Sequence, residues 1–344
     1  MRRKGFDALI VSTYWDVRYL SGYNSIIGMC VVLLPLEGEP FLLIDQYWDL
    51  ERARSESAFP NVSATSSVAE GIVQFLAKSK TGRVGIVGWR NFPVPIYLQL
   101  VKQSPQIKFE DATSLLQNVR MIKSDLEMSF LRRAAKISDA GAIAASRAIK
   151  VDVTERQIAI AAERAMKEAG AESLSFPTVL GSGKRTQLIV PMPTEKKVKR
   201  GEIVLMDLGG KFRGYCGDIS RTKKLGVLDQ KQRELYVAVM EMHKQAIKMV
   251  RPGVKANQVH NEAVSVAREY GFSDYVKHLT GHALGLEEHE WPIIEHEEVE
   301  LVSGMVITIE PGLYAPKIGG IRVEDMVSIT DSGTRILTTA DREL

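Results

Sequence analysis

Two spacings of apolar residues alternate along the chain. Residues 8–12, 30–35, 40–45 and 84–88 are short apolar runs closed by Gly, Pro or polar residues, as in buried strands, and helical patterns near 67–80 and 96–104 fall among them. Strands mixed with helices in this way predict a small α/β domain over 1–118. From 124 to 169 the spacing is helical, with Leu126, Phe130, Leu131, Ala134 and Ile137 on one face. Ser124 with Glu127, and Thr154 with Gln157, form capping boxes that set the starts of two helices. Further helical stretches, 228–250 and 255–270, stop at Arg251-Pro252-Gly253 and at Gly271. The boundary between the domains falls within 111–124, which leaves 119–344 as the larger one.

Between and after the helix pairs, one pattern occurs twice. The stretch 201–222 carries Gly201, Asp207, Gly209, Gly214 and Asp218, and 304–330 carries Gly304, Glu310, Gly312, Gly320 and Glu324. Residues 203–206 and 305–309 are apolar runs broken only by Thr308, and they read as strands buried on both faces. Alternation then places Ile203, Leu205 and Asp207 on one face, and Val306, Thr308 and Glu310 on one face. A Gly-rich turn follows each acid, and the chain returns in a second strand bearing Asp218 or Glu324. Each hairpin thus aims two acids at one point. Buried carboxylates gathered like this repel one another and are costly to ionise, unless a strong positive charge sits among them. Divalent metal supplies that charge. Helix pairs alternating with hairpins predict an α+β fold, a curved antiparallel sheet backed by helices.

The segment 278-HLTGHALGLEEHEWP-292 brings His278, His282 and His289 together, in a chain with only six histidines. With these residues in place, D-x-G…G-Y-x-x-D-I-S-R-T, then H-x-x-G-H-x-x-G-L-x-x-H-E, then I-E-P-G-L-Y…G-I-R-V-E-D resembles the aminopeptidase P, prolidase and creatinase family. That resemblance implies a catalytic domain of the pita-bread fold, preceded by a creatinase-type N-terminal domain. The segment 15-WDVRYLSGY-23 is similar to the latter's N-x-R-Y-L-T-G-F, with Asp16 where Asn is usual. It also implies a ligand set in which Asp207 binds one metal ion, His282 and Glu310 bind the other, and Asp218 and Glu324 bridge the two. Ions roughly 3.5–4 Å apart share a hydroxide and polarise a carbonyl, which yields amide hydrolysis. Glu310 is then the general base. The resemblance implies catalytic roles for His278 and His289 around the substrate groove, where they orient the scissile group or hydrogen-bond the tetrahedral intermediate, and for each the plainer alternative is a histidine satisfied by a backbone carbonyl. Arg322 either grips a substrate carboxylate or neutralises the acid cluster. With one imidazole among five ligands the chemistry leans to oxygen, so Mn²⁺ comes first, Co²⁺ or Fe²⁺ next, and Zn²⁺ after them. Family members are commonly homodimers.

Composition narrows the setting. A net charge of +3 is too mild to argue for nucleic acid, and 195-EKKVKRGE-202 reads as a solvated loop. Two cysteines give no disulfide framework, and 29-MCVVLLPL-36 is far too short to span a bilayer. These features predict a soluble cytoplasmic protein. Tyr314, Trp48 and Trp291 are candidates for a pocket wall, although aromatics more often pack in cores.

One departure bears on the substrate. Peptidases of the family carry His-Gly before x-Pro-Thr in the stretch matching 176-FPTVLGSGKRTQLIVPMPT-194, and here those positions are Val190-Pro191. Val donates neither a hydrogen bond nor a proton, so a contact worth roughly one to two orders of magnitude in rate is absent or supplied elsewhere. Three functions follow from these features. The first is a dinuclear hydrolase of the Xaa-Pro peptidase type that cleaves a short peptide before proline. The second is a metal-dependent hydrolase of a small non-peptide amide or cyclic amidine, similar to ectoine hydrolases. The third is a non-catalytic pita-bread binding protein.

Overall fold

The structure, a computed structural model, describes residues 1–78 and 81–344. It divides into two compact units, Met1–Val119 and Arg120–Leu344.

The first unit runs β1 (Ala8–Val11), α1 (Tyr14–Ser21), β2 (Cys30–Pro35), β3 (Phe41–Ile44), α2 (Leu50–Glu56), β4 (Asn61–Ala64), α3 (Val68–Ala77), β5 (Arg83–Val87), α4 (Val94–Gln103) and β6 (Lys108–Asp111). Its strands form one mixed sheet in the order β4-β3-β2-β1-β5-β6. Val11, Val32 and Leu42 face one apolar layer, and Ile10, Val31 and Ile86 the other. The helical pattern near 67–80 is α3; its last positions, 79–80, lie outside the described residues. Strands β4 and β6 escape the hydrophobic pattern because they are the sheet's edges, where NVSA and KFED bury little. Helix α1 escapes it too, since YWDVRYLS buries only Asp16, Val17 and Ser21; its start is set by Thr13, whose side chain accepts the Asp16 N–H.

A helix α5 (Thr113–Met121), not expected from the pattern, covers the boundary region. The second unit then alternates helix pairs with ribbons: α6 (Asp125–Ala148), α7 (Glu155–Glu168), β7 (Val179–Ser182), β8 (Ile203–Leu208), β9 (Lys211–Phe212), β10 (Tyr215–Cys216), β11 (Ile219–Lys224), α8 (Gln230–Met249), α9 (Ala256–Glu269), β12 (His282–Ala283), β13 (Glu290–Ile293), β14 (Val306–Ile309), β15 (Gly312–Ala315), β16 (Gly319–Arg322), β17 (Asp325–Thr330) and β18 (Gly333–Ile336). Both expected capping boxes form, at Ser124 and at Thr154, and Asp229 with Gln232 makes a third at the start of α8.

Every strand pairing in this unit is antiparallel, with orders β11-β8-β7 and β13-β12-β14-β17-β18. The repeat seen in the sequence is a structural repeat. Strand β8 pairs with β11, Asp207 opposite Ser220, and β14 pairs with β17, Ile309 opposite Asp325. Each ribbon has its own helix pair: Ile137, Ile158 and Met166 pack on Val204, Met206 and Leu208, while Leu235, Val239 and Val259 pack on Ile307, Ile309 and Val327.

The two ribbons are stitched where the acids lie. The Glu324 N–H donates to the Ser220 carbonyl at 3.1 Å, and the Arg322 N–H donates to Thr222 Oγ1 at 3.1 Å. Fully buried Arg221 donates to the Glu324 carbonyl, to Asp325 Oδ1 at 2.9 Å and to the Ala340 carbonyl at 2.7 Å. The expected placement of the second acids on returning strands needs correction. Asp218 lies just before β11, and Glu324 lies between β16 and β17, because the Glu324 amide is spent on the other ribbon rather than on a ladder of its own.

Gly281, which precedes β12, is fixed by contact: a Cβ there would stand 2.0 Å from the Thr308 carbonyl oxygen. Gly281→Ala is therefore expected to destabilise the protein by about 1–3 kcal/mol. A thermal melt with and without added Mn²⁺ checks this, and the variant should also bind metal more weakly because His282 is the next residue.

Candidate metal centre

His282 is aimed by its own backbone. Its N–H donates to Thr308 Oγ1 at 3.1 Å, and its Nδ1–H donates to the Ala283 carbonyl at 3.0 Å. The Nε2 lone pair is thereby left facing the acids, 3.4 Å from Glu310 Oε1 and 3.7 Å from Asp218 Oδ2. Asp218, His282 and Glu324 each offer one ligand atom within 4.8 Å of the others, and all three are buried. Asp207 enters from the end of β8, with Oδ2 accepting from Arg322 Nη2 at 2.6 Å.

Electrostatics follow from that crowding. Burial, then the charges of Glu324, Asp207 and Glu310, push Asp218 well above the usual carboxylate range. Burial, then Glu310 and Asp207, do the same to Glu324. Burial, with Arg322 opposing and Asp207 adding to it, raises Glu310 to about 8. Burial lowers His282 to about 3, so the ring is neutral and in its ligating form.

Two carboxylate oxygens, Asp207 Oδ1 and Glu324 Oε2, are buried without a hydrogen-bond partner. Four acids lie around one buried guanidinium, that of Arg322, which pairs directly with Asp207, so the cluster cannot ionise fully without a further positive charge. Orphaned oxygens, carboxyls held back from ionising only by burial and one another, and a neutral imidazole with its lone pair turned inward are what a divalent cation requires.

The remaining sequence candidates surround this cluster. His278 spends both ring nitrogens: Nδ1–H donates to the Leu279 carbonyl at 2.7 Å, and Nε2 accepts from Tyr314 Oη at 2.8 Å. Tyr314 Oη in turn accepts from Arg322 Nη1 at 2.7 Å, so His278, Tyr314, Arg322 and Asp207 form one chain of hydrogen bonds. Burial holds His278 near 3, hence neutral. The Arg322 guanidinium also donates to Ser220 Oγ at 2.7 Å and to the Ile189 carbonyl at 3.0 Å. His289 lies over His282, ring centroids 3.9 Å apart, with an exposed edge. Tyr314 is buried, Trp291 half-buried and Trp48 exposed.

Beside the cluster is a cleft of about 380 Å³. Asp207, His278, Glu288, His289, Glu310 and Arg322 form its polar side, and Phe176, Pro177, Val179, Ile189, Val190 and Met192 its apolar side. Val190 is 63% exposed there.

Several working residues were not singled out in the sequence. Glu290 is buried, and burial alone would raise it, but Lys123 and Arg120 hold it low; its Oε2 accepts from Lys123 Nζ at 3.0 Å and Oε1 accepts from Arg120. That pairing anchors the turn carrying His289. Glu155, fully buried at the start of α7, accepts from the Ser182 N–H at 2.8 Å, the Thr194 N–H at 3.0 Å and Arg185 Nε at 3.1 Å. It clamps both ends of the segment that carries Ile189, Val190 and Met192 to the cleft. The segment 278-HLTGHALGLEEHEWP-292 contains Glu290, and the second capping box adjoins Glu155, but partners so distant in sequence leave no local signal. Glu155→Ala leaves those donors unpaired and is expected to cost about 3 kcal/mol or more. Limited proteolysis checks it, with first cleavage expected within 182–194.

Ligands of this kind, held dry beside a cleft sized for a small substrate, are the equipment of a metallohydrolase. Comparison with known proteins agrees and goes further. The model for metallopeptidase family M24 matches residues 129–331, and that for the Creatinase/Prolidase N-terminal domain matches residues 1–122. The chain belongs to family M24, a creatinase-type N-terminal domain followed by a pita-bread domain, and as a member it is a metallohydrolase that uses divalent metal. It is 34% identical over 346 residues to a Xaa-Pro dipeptidase of Pyrococcus furiosus, covering 100% of this chain and 97% of that one. It superimposes on the prolidase of Pyrococcus horikoshii with a TM-score of 0.93 at 34% identity, covering 100% and 97%. For an X-Pro aminopeptidase from Thermotoga maritima the TM-score is 0.92 at 26% identity, covering 100% and 96%. Among the described residues no helix is long and apolar enough to cross a membrane.

Proposed function

We propose that this protein is a two-metal Xaa-Pro dipeptidase, which hydrolyses the bond before proline in a short peptide. The observation that carries the reading is the convergence of His282 Nε2 with Asp218, Glu310 and Glu324, beside the orphaned oxygens of Asp207 and Glu324. Asp207 would hold one divalent ion, His282 and Glu310 the other, with Asp218 and Glu324 shared. Mn²⁺ suits a set with four carboxylates and one imidazole. When bound, such ions supply an acidified water and polarise the scissile carbonyl.

The chain's own residues do the rest. Glu310, on the cleft wall, takes the proton of the attacking water and delivers it to the departing proline nitrogen. Arg322 fixes Asp207 and, through Tyr314, the His278 ring, so the cleft keeps its shape as charge moves within it. His289, with its exposed edge at the cleft, donates to the substrate. The apolar side excludes water from the reacting bond. Dimerisation and a cytoplasmic setting belong to the same reading and rest on likeness to the family.

Val190 favours a second reading, since a 63% exposed aliphatic side chain stands where peptidases of this family place a histidine. On that reading the substrate is a small non-peptide amide. Assay of Xaa-Pro dipeptides and longer Xaa-Pro peptides, after chelator treatment and reloading with Mn²⁺, separates the two. Turnover of dipeptides upholds the first, and no turnover with metal demonstrably bound upholds the second.

A further inference from the structure

We infer that Glu288 makes the cleft selective for substrates with a cationic side chain, so that the favoured Xaa-Pro peptides are those in which Xaa is lysine-like. The inference rests on the dipeptidase reading and adds to it the substrate class.

Three acids lie close together in 287-EEHE-290, and the structure sends them to different places. Glu287 pairs with Arg120 at 2.9 Å, and Glu290 is held between Arg120 and Lys123. Glu288 turns the other way and lines the cleft. Of the three carboxylates on the cleft wall, Asp207 is gripped by Arg322 and Glu310 belongs to the metal set. Glu288 is committed to neither. Its near neighbour is His289 Nδ1 at 3.4 Å, from a ring that burial keeps neutral; burial and then the Asp207 charge raise the Glu288 carboxyl to about 7, with Lys211 opposing, and a cation arriving beside it favours its ionised form.

The same cleft has an aliphatic wall in Ile189, Val190 and Met192, with Val190 63% and Met192 50% exposed. An alkyl stem laid on that wall and ending in a charged amine satisfies both features. The stem buries apolar surface, and the cation meets a carboxylate in a partly desolvated place. A neutral side chain of the same length gains only the first, and an acidic one meets repulsion.

The test compares Lys-Pro with norleucyl-Pro, which has the same stem without the charge, on the Mn²⁺-loaded full chain and on E288Q. A charge-assisted contact of this kind is expected to favour Lys-Pro by about tenfold in kcat/KM, and E288Q should remove that preference. Norleucyl-Pro turnover, little changed by E288Q, shows that the variant is folded. E288K should turn Lys-Pro away further. No preference in the natural chain, or an equal loss on both peptides in E288Q, overturns the inference; the equal loss would mean that Glu288 holds the common α-ammonium instead. Should neither peptide be hydrolysed, the dipeptidase reading fails, and calorimetric binding of the same two peptides decides this one. Tighter binding of Lys-Pro, lost in E288Q, sustains it, and equal or no binding overturns it.

Discussion

Glu324→Gln is expected to stabilise the metal-free protein while it abolishes hydrolysis. In the native chain, burial and mutual repulsion raise Asp218, Glu310 and Glu324 above their ordinary values, Glu310 from 4.5 to about 8. A carboxyl raised on folding contributes stability that is fully present below its unfolded pKa and is lost as pH rises through the folded one. For Glu310 that window runs from 4.5 to about 8. Glu324 is raised in the same direction, so a neutral amide in its place removes the cost of keeping this carboxyl protonated as pH rises above its unfolded value, and has little effect below that value. With about 1.4 kcal/mol for each pKa unit, a gain of roughly 1–3 kcal/mol is expected at pH 8. The gain should vanish near pH 5, and melts of chelator-treated protein at the two pH values check it. Because the glutamine is a poor ligand, activity should fall by roughly three orders of magnitude or more. A variant more stable and inactive at once is the signature of a group kept for binding rather than for folding.

Arg322→Lys is expected to cost about 3–5 kcal/mol in stability and to lower turnover roughly a hundredfold, although the charge is retained. The guanidinium serves Asp207, Tyr314, Ser220 and the Ile189 carbonyl in different directions. One ammonium reaches only part of that set, and the stranded groups are buried. Tyr314 then loses the donor that orients it toward His278. Comparison of Arg322→Lys with Arg322→Ala by urea unfolding, with guanidinium ion added to the latter, separates geometry from charge. Partial rescue of Arg322→Ala by guanidinium, beyond what lysine achieves, is the expected result.

Asp207 and Glu310 were legible in the sequence because each ends an apolar strand, and because the pattern occurs twice, so that one coincidence would have to happen again. The second acids of the repeat were legible in identity but were displaced from the strands, since the stitching of one ribbon to the other depends on amides that no periodicity reveals. Arg322 left two readings open, a grip on substrate or neutralisation of the acids; in the structure it contacts Asp207 at 2.6 Å and also lines the cleft. His278 likewise left two, and in the structure its nitrogens are taken by Leu279 and Tyr314. The pairing of Glu290 with Arg120 and Lys123 joins residues about 170 apart in the chain, and Glu155 reaches across to Thr194. Such contacts leave no local pattern. In the first unit, β4 and β6 were silent for the opposite reason: edge strands bury too little to need an apolar run.

The most direct measurement is metal content against activity. Protein stripped with chelator and titrated with Mn²⁺ should take up two ions per chain, release protons as the raised carboxyls ionise, and gain activity in step with occupancy. Full activity in metal-free protein, or no uptake by a chain whose Asp218, His282 and Glu324 are intact, would contradict the account.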